Sequence, residues 1–239
     1  MLGEREQVPK PGVRYGSSCD HGAMRLFDLS HALEPGMVTY PGLPSPDIAD
    51  HLSYDDSRAH YAEGTEFTIG RISMVGNTGT YLDTPAHRFR DGHDLGALPL
   101  ERCALLPTVV VDGDGALGAD AFADLEVEGC AVLLRTGWDR HWGTDRYGAP
   151  EHPHLTGAGA EHLAARGAAL VGIDSVNIDD TRTGERPAHT ALLAADIPVV
   201  EHLTGLHALP ATGARFTAVP VAVRGLATFP VRAFATVDW

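Results

Sequence analysis

The sequence predicts an α/β fold in one domain, with a mixed, strand-rich sheet system and short helices. Three observations predict it. Apolar runs at 108–112, 131–135, 169–174 and 197–200 are continuous rather than alternating, as strands buried on both faces tend to be. Short helix-like segments lie between these runs. No Gly/Ser linker, internal repeat or low-complexity tract divides the chain.

Residues 1–23 are rich in Gly, Pro and polar types and read as a flexible N-terminal arm, so the domain is expected over 24–239. Leu26, Phe27 and Leu29 open a short strand, and Pro41-Gly42 marks a turn. Residues 67–75 read as the next strand, followed by those at 108–112, 131–135, 169–174, 197–200 and 216–223. Helices are expected over 119–125, over 159–166 with Gly167 at the C-terminal stop, and over 189–195 with Pro187 just ahead.

Composition excludes several classes of function. The formal net charge of −14 comes without a Lys/Arg cluster, which argues against nucleic acid and against an anionic membrane surface. The three cysteines, Cys19, Cys103 and Cys130, form no CxxC pair and fit a reducing compartment. With no run long enough to span a bilayer and no secretory-type apolar core at the N-terminus, a cytoplasmic protein is expected. Gly113-Asp114-Gly115 lacks the downstream pattern of a phosphate cradle, so no organic cofactor is expected. No Gly-x-Ser-x-Gly elbow is present, which disfavours a serine hydrolase.

The densest patch of chemistry runs from Gly76 to His87 (GNTGTYLDTPAH). Gly79 and Pro85 break it, so its middle is expected to be irregular backbone displayed at a strand end. Asp83 and His87, four residues apart, can bind a divalent metal or orient a general base; taken alone, an Asp closing a turn and a surface His is the commoner reading. Far downstream, His189 precedes a helix and Glu201 follows an apolar strand. A carboxylate there is costly unless paired or metal-bound. Glu201 either joins such a cluster or caps a short helix over 203–207.

These residues resemble a known family. Asn77-x-Gly-Thr-Tyr81-x-Asp83-x-Pro-x-His87 is similar to the His-x-Gly-Thr-His-x-Asp-x-Pro-x-His signature of the cyclase family of metal-dependent hydrolases. That family includes bacterial kynurenine formamidases, isatin hydrolases and some polyketide cyclases. The resemblance extends to Asp28-Leu29-Ser30, Tyr40-Pro41-Gly42, the stretch from Leu134 to Trp138, Gly172-Ile173-Asp174-Ser175, and the stretch from His189 to Glu201. It implies an α/β fold of the swivelling β/β/α type and a homo-oligomer, dimer or tetramer.

The resemblance also implies site roles. Asn77 and Tyr81 stand where two metal-binding signature His would be, and neither replaces a histidine well toward zinc. Asp83, His189 and Glu201 remain for one divalent metal, zinc or manganese, with an open position for water. His87 matches the proton-transfer His, Tyr81 is assigned to the oxyanion, and Asn77 and Thr80 to the substrate. The loop 138–154 is rich in Trp and His, and by resemblance borders the pocket. Its rings either stack on a planar ligand or cover the core, and Trp138 is assigned to the substrate. His93 reads as a surface residue and Asp179-Asp180 as a solvated turn.

The expected function is hydrolysis of an amide, formamide or lactam-like C–N bond in a small, aromatic substrate. The alternatives are a metal-independent biosynthetic cyclase or dehydratase, and a catalytically silent ligand-binding homologue.

Overall fold

The computed structural model describes residues 24–238; the proposed arm at 1–23 lies outside them. Thirteen strands occur among the described residues. They are β1 (Arg25–Asp28), β2 (Asp47–Leu52), β3 (Ile69–Ser73), β4 (Tyr81–Asp83), β5 (Leu106–Asp112), β6 (Ala116–Leu117) and β7 (Ala131–Arg135), then β8 (His154–Leu155), β9 (Leu170–Ile173), β10 (Val199–Glu201), β11 (Thr212–Thr217), β12 (Thr228–Pro230) and β13 (Phe234–Val237). The helices are α1 (Tyr54–Ser57), α2 (Gly157–Ala165) and α3 (Pro187–Ala194).

Nine strands form one mixed sheet in the order β1-β13-β11-β5-β7-β9-β10-β4-β12. Its centre, β5-β7-β9-β10, is parallel, and both flanks are antiparallel. Parallel neighbours need crossovers, which the chain supplies through α2 between β7 and β9 and through α3 between β9 and β10. The continuous apolar runs follow from this placement. In β7, Leu133 enters the core made with Leu29, Leu82, Val200 and Phe216, while Val132 and Leu134 enter the one under the helices with Leu163 and Leu192. Burying both faces removes the reason for polar alternation. This is the mixed α/β domain of swivelling β/β/α type that the sequence predicted.

α2 starts at Thr156, whose hydroxyl accepts from the Gly159 amide at 3.1 Å, and Gly167 follows its end at φ 74°. At β9, a Cβ on residue 172 would sit 2.8 Å from Leu203 Cδ1 and 2.9 Å from Leu133 Cδ2, so packing there requires glycine.

Several expectations are corrected. The run 67–75 forms β3, yet every residue of β3 is exposed, because it pairs only with β2 in a separate two-stranded ribbon. The strand expected over 216–223 is β11, which ends at Thr217. Beyond it Pro220 makes only an isolated bridge to Val231, since proline has no N–H for a ladder. The segment 119–125 is a short 3₁₀ turn at Ala119–Phe122. Residues 203–207 hold no helix over that span: Gly205, at φ 70°, starts a one-turn 3₁₀ segment at Leu206–Ala208. Tyr81–Asp83, expected to be irregular, is a fully buried strand held between β10 and β12.

Candidate active site

Three elements bring the distant residues together. β4 carries Tyr81 and Asp83, its neighbour β10 carries Glu201, and α3 carries His189. Register places Glu201 opposite Tyr81 and Val199 opposite Asp83. His87 follows in the one-turn segment Pro85–His87.

The centre is the His189 imidazole, 5% exposed, with fully buried Asp83 on one side and Glu201 on another. Its Nε2 lies 3.6 Å from Asp83 Oδ2 and 3.6 Å from Glu201 Oε1. Its Nδ1 donates to Asp179 Oδ2 at 2.6 Å. That same carboxylate accepts from the amides of Ala188 (2.6 Å) and His189 (3.1 Å), so it also caps α3. Asp179 is therefore not the solvated turn that its sequence suggested; it is 0% exposed. Only the tertiary fold brings it to the helix ten residues further on.

His87 is the open member, its side chain 35% exposed. Its Nδ1 lies 3.0 Å from Thr228 Oγ1 and 3.6 Å from Asp83 Oδ1. The Thr228 hydroxyl donates to Asp83 Oδ1. With that proton committed, His87 donates from Nδ1 to Thr228, which leaves Nε2 as a lone pair.

The cluster is rich in negative charge. Burial alone would lower the His189 pKa, but the carboxylates of Glu201, Asp179 and Asp83 push it up to about 10. Burial raises Glu201 to about 7 against the pull of His189. Burial would raise Asp83 too, yet the neighbouring imidazoles of His189 and His87 and the Thr228 hydroxyl hold it below the usual carboxylate range.

These residues fit a divalent cation. Asp83 Oδ2 and His189 Nε2 are both buried, face each other and have no hydrogen-bond partner. Buried polar atoms without partners are uncommon and call for an explanation such as an ion. Candidate ligand atoms of Asp83, His87 and His189 lie within 4.8 Å of one another. The Asp179 bond to His189 Nδ1 is the orienting contact that metal-binding histidines commonly have.

Tyr81 is 2% exposed and donates to Glu201 Oε2 at 2.6 Å. A phenol has one proton, so the oxyanion role expected of Tyr81 is corrected: that proton is spent on Glu201. Burial, followed by the charges of Glu201 and Asp83, raises its pKa well above 10 and keeps it protonated. Glu201 Oε1 accepts from the Ile178 amide at 2.6 Å, so Glu201 does not cap a helix.

The remaining assignments divide. Asn77 is half-buried beside Tyr81. Thr80 is buried, and its hydroxyl donates to the His202 carbonyl at 2.6 Å, which corrects its assignment to the substrate. Trp138 is 5% exposed and its indole donates to the Tyr147 carbonyl at 2.9 Å, which packs it with Tyr147 and Val176. The more open ring of that loop is Trp142, stacked on His31 at 3.8 Å. His93 is tied to Asp196 at 2.5 Å.

Sequence reasoning missed Thr228 and His202, read Asp179 as a solvated turn, and met Tyr147 only as part of the loop 138–154. The Glu201-His202 adjacency was visible; Thr228 carries no local signal.

Two hollows flank this region. One, of about 870 Å³, lies over α2 and α3 against Glu161, Arg186 and Thr190, and contains no member of the cluster. The other, of about 850 Å³, is walled by His31, Met37, Pro41, Trp142 and Tyr147. Trp142 and Tyr147 also contact His202, which touches Tyr81, so this second hollow adjoins the cluster.

Fold and cluster together define a strand-rich α/β protein whose acidic, imidazole-bearing centre suits a divalent cation. The chain belongs to the Cyclase family, whose model matches residues 27–180. It is 29% identical over 180 residues to the kynurenine formamidase of Erythrobacter litoralis, covering 75% of this chain and 79% of that protein. With the kynurenine formamidase of Sphingopyxis alaskensis it shares 27% identity over 219 residues, 87% of this chain and 96% of the other. Among solved structures, isatin hydrolase A from Labrenzia aggregata bound to benzyl benzoate superposes with a TM-score of 0.78 at 25% identity, over 90% of this chain and 94% of that one.

Proposed function

We propose that this chain hydrolyses an amide, formamide or lactam-like C–N bond in a small aromatic substrate. The observation that carries the reading is the facing pair of buried, partnerless atoms, Asp83 Oδ2 and His189 Nε2, beside the half-exposed His87. The formamidase and isatin hydrolase relatives support the reaction class. Among the described residues no helix is long and apolar enough to cross a membrane, which is compatible with the cytoplasmic, homo-oligomeric enzyme proposed here.

Asp83, His189 and Glu201 would hold one divalent ion, zinc or manganese. When bound, such an ion lowers the pKa of water toward ~7 and polarises a carbonyl. The chain's own groups do the rest. Asp179 fixes the His189 ring so that Nε2 faces Asp83. His87, anchored at Nδ1 by Thr228, accepts a proton at Nε2 from the attacking water and returns it to the leaving nitrogen. Tyr81 holds Glu201 in place by its hydrogen bond, and Asn77 orients the substrate carbonyl. The second hollow offers the aromatic ring of the substrate Trp142 and Tyr147 as neighbours.

The test is hydrolysis of an N-formyl arylamine and of an isatin-type lactam by metal-loaded and chelated protein. Turnover by the loaded protein alone is expected. Turnover that survives exhaustive metal removal would overturn the metal assignment, and none on either substrate would overturn the reaction class.

A further inference from the structure

Beyond Glu201 the chain continues a polar relay through His202, which the proposed reaction leaves unused. It runs Tyr147–His202–Tyr81–Glu201, and all four side chains are buried. The Tyr147 hydroxyl lies 2.8 Å from His202 Nδ1, His202 Nε2 lies 3.4 Å from the Tyr81 oxygen, and Tyr81 lies 2.6 Å from Glu201 Oε2.

With Glu201 in the carboxylate form that a metal ligand takes, proton counting gives the direction of every link. The single Tyr81 proton goes to Glu201 Oε2, its short contact at 2.6 Å. The Tyr81 oxygen is then an acceptor toward His202, which must carry its proton on Nε2. A neutral imidazole protonated at Nε2 has a bare Nδ1, and Tyr147 is the donor that meets it.

The backbone at this point is also fixed. His202 sits at φ 58°, a left-handed conformation uncommon for a side chain with a Cβ. Its amide donates to the Ser175 carbonyl at 3.3 Å, and its carbonyl accepts from Thr80 at 2.6 Å. The ring is boxed by Tyr81, Trp142 and Tyr147, with centroids at 5.1, 5.8 and 5.7 Å. An imidazole held on both nitrogens and on its backbone cannot reorient without breaking several contacts.

We propose that His202, locked by Tyr147 in the Nε2–H form, is a positioning residue that directs the Tyr81 proton onto Glu201 and so sets the Glu201 carboxylate toward His189. The proposal rests on the reading of Glu201 as part of the metal site. Its tautomer half stands independently of any reaction.

The test uses the full chain labelled with ¹⁵N-histidine, with the His202 resonances identified from their absence in His202→Asn. His202 is expected to show a protonated Nε2 and a bare Nδ1, and an Nδ1-protonated ring would overturn the proposal. The Tyr147→Phe variant keeps the ring packing but removes the donor. It is expected to mix the two tautomers and to weaken manganese binding, measured by calorimetry, by less than the ~10-fold that loss of a direct partner of a ligand costs, because it acts through His202 and Tyr81. A folded Tyr147→Phe protein with the wild-type tautomer and wild-type manganese affinity would sink the idea. Should Tyr147→Phe fail to fold, the wild-type tautomer still decides. If the wild type hydrolyses neither aryl substrate, the proposed reaction fails while the tautomer measurement keeps its meaning.

Discussion

Asp179 Oδ2 accepts from His189 Nδ1 at 2.6 Å while the same carboxylate caps the helix that carries His189. One side chain thus fixes both the helix start and the ring orientation. Asn has one acceptor oxygen where Asp179 uses two, so Asp179→Asn keeps the amide contact at Ala188 and turns a donor toward His189. A lower thermal midpoint is expected, together with divalent-metal affinity weakened ~10–100-fold, measured by calorimetric titration on the folded variant. Unchanged affinity would remove Asp179 from the site.

His87 is the exposed member and its Nδ1 is tied to Thr228, so its removal should leave the ion in place. For His87→Ala, metal content by elemental analysis should match the wild type. The kcat for an aryl formamide should drop ~10²–10⁴-fold, the usual share of general acid–base catalysis. Loss of the metal instead would make His87 a ligand, as its place within 4.8 Å of Asp83 and His189 also permits.

Tyr81 and Asn77 stand at the two positions where the resemblance places histidines. Imidazole binds zinc far better than an amide or a protonated phenol. The double variant Asn77→His, Tyr81→His should therefore raise bound zinc from one to two ions per chain. Elemental analysis after dialysis reads this directly, and a folded variant still holding one ion would refute it.

Burial lowers the His31 pKa from 6.5 to about 4, against a smaller raising effect from Asp139. Between those values the unfolded chain binds a proton that the folded chain refuses. Stability from this group is thus full above pH ~6.5 and falls as pH drops toward ~4. His31→Phe keeps a ring against Trp142 and does not titrate. Urea midpoints measured from pH ~7.5 to ~4.5 should fall less steeply for the variant than for the wild type. Parallel curves would mean that His31 is not desolvated as its stacking on Trp142 indicates.

The central strands were legible because burial on both faces writes itself as unbroken Val, Ile and Leu. The ribbon strand β3 was misread for the same reason: Phe67 and Ile69 are as apolar as a core strand, yet no layer covers them. Three-residue β4 was invisible, since its strand character comes from β10 and β12 on either side.

The sequence by itself singled out the side chains proposed to carry the chemistry, Asp83, His87, His189 and Glu201; their spacing left bland readings open, and the family resemblance selected them. Only the tertiary structure decided their partners. Asp179, Thr228, Tyr147 and His202 reach the site across turns and crossovers, and a hydrogen bond depends on distance and direction that linear order does not encode. The same physics reassigned Tyr81 and Thr80: a hydroxyl has a single proton, and where it goes is set by the nearest acceptor in space.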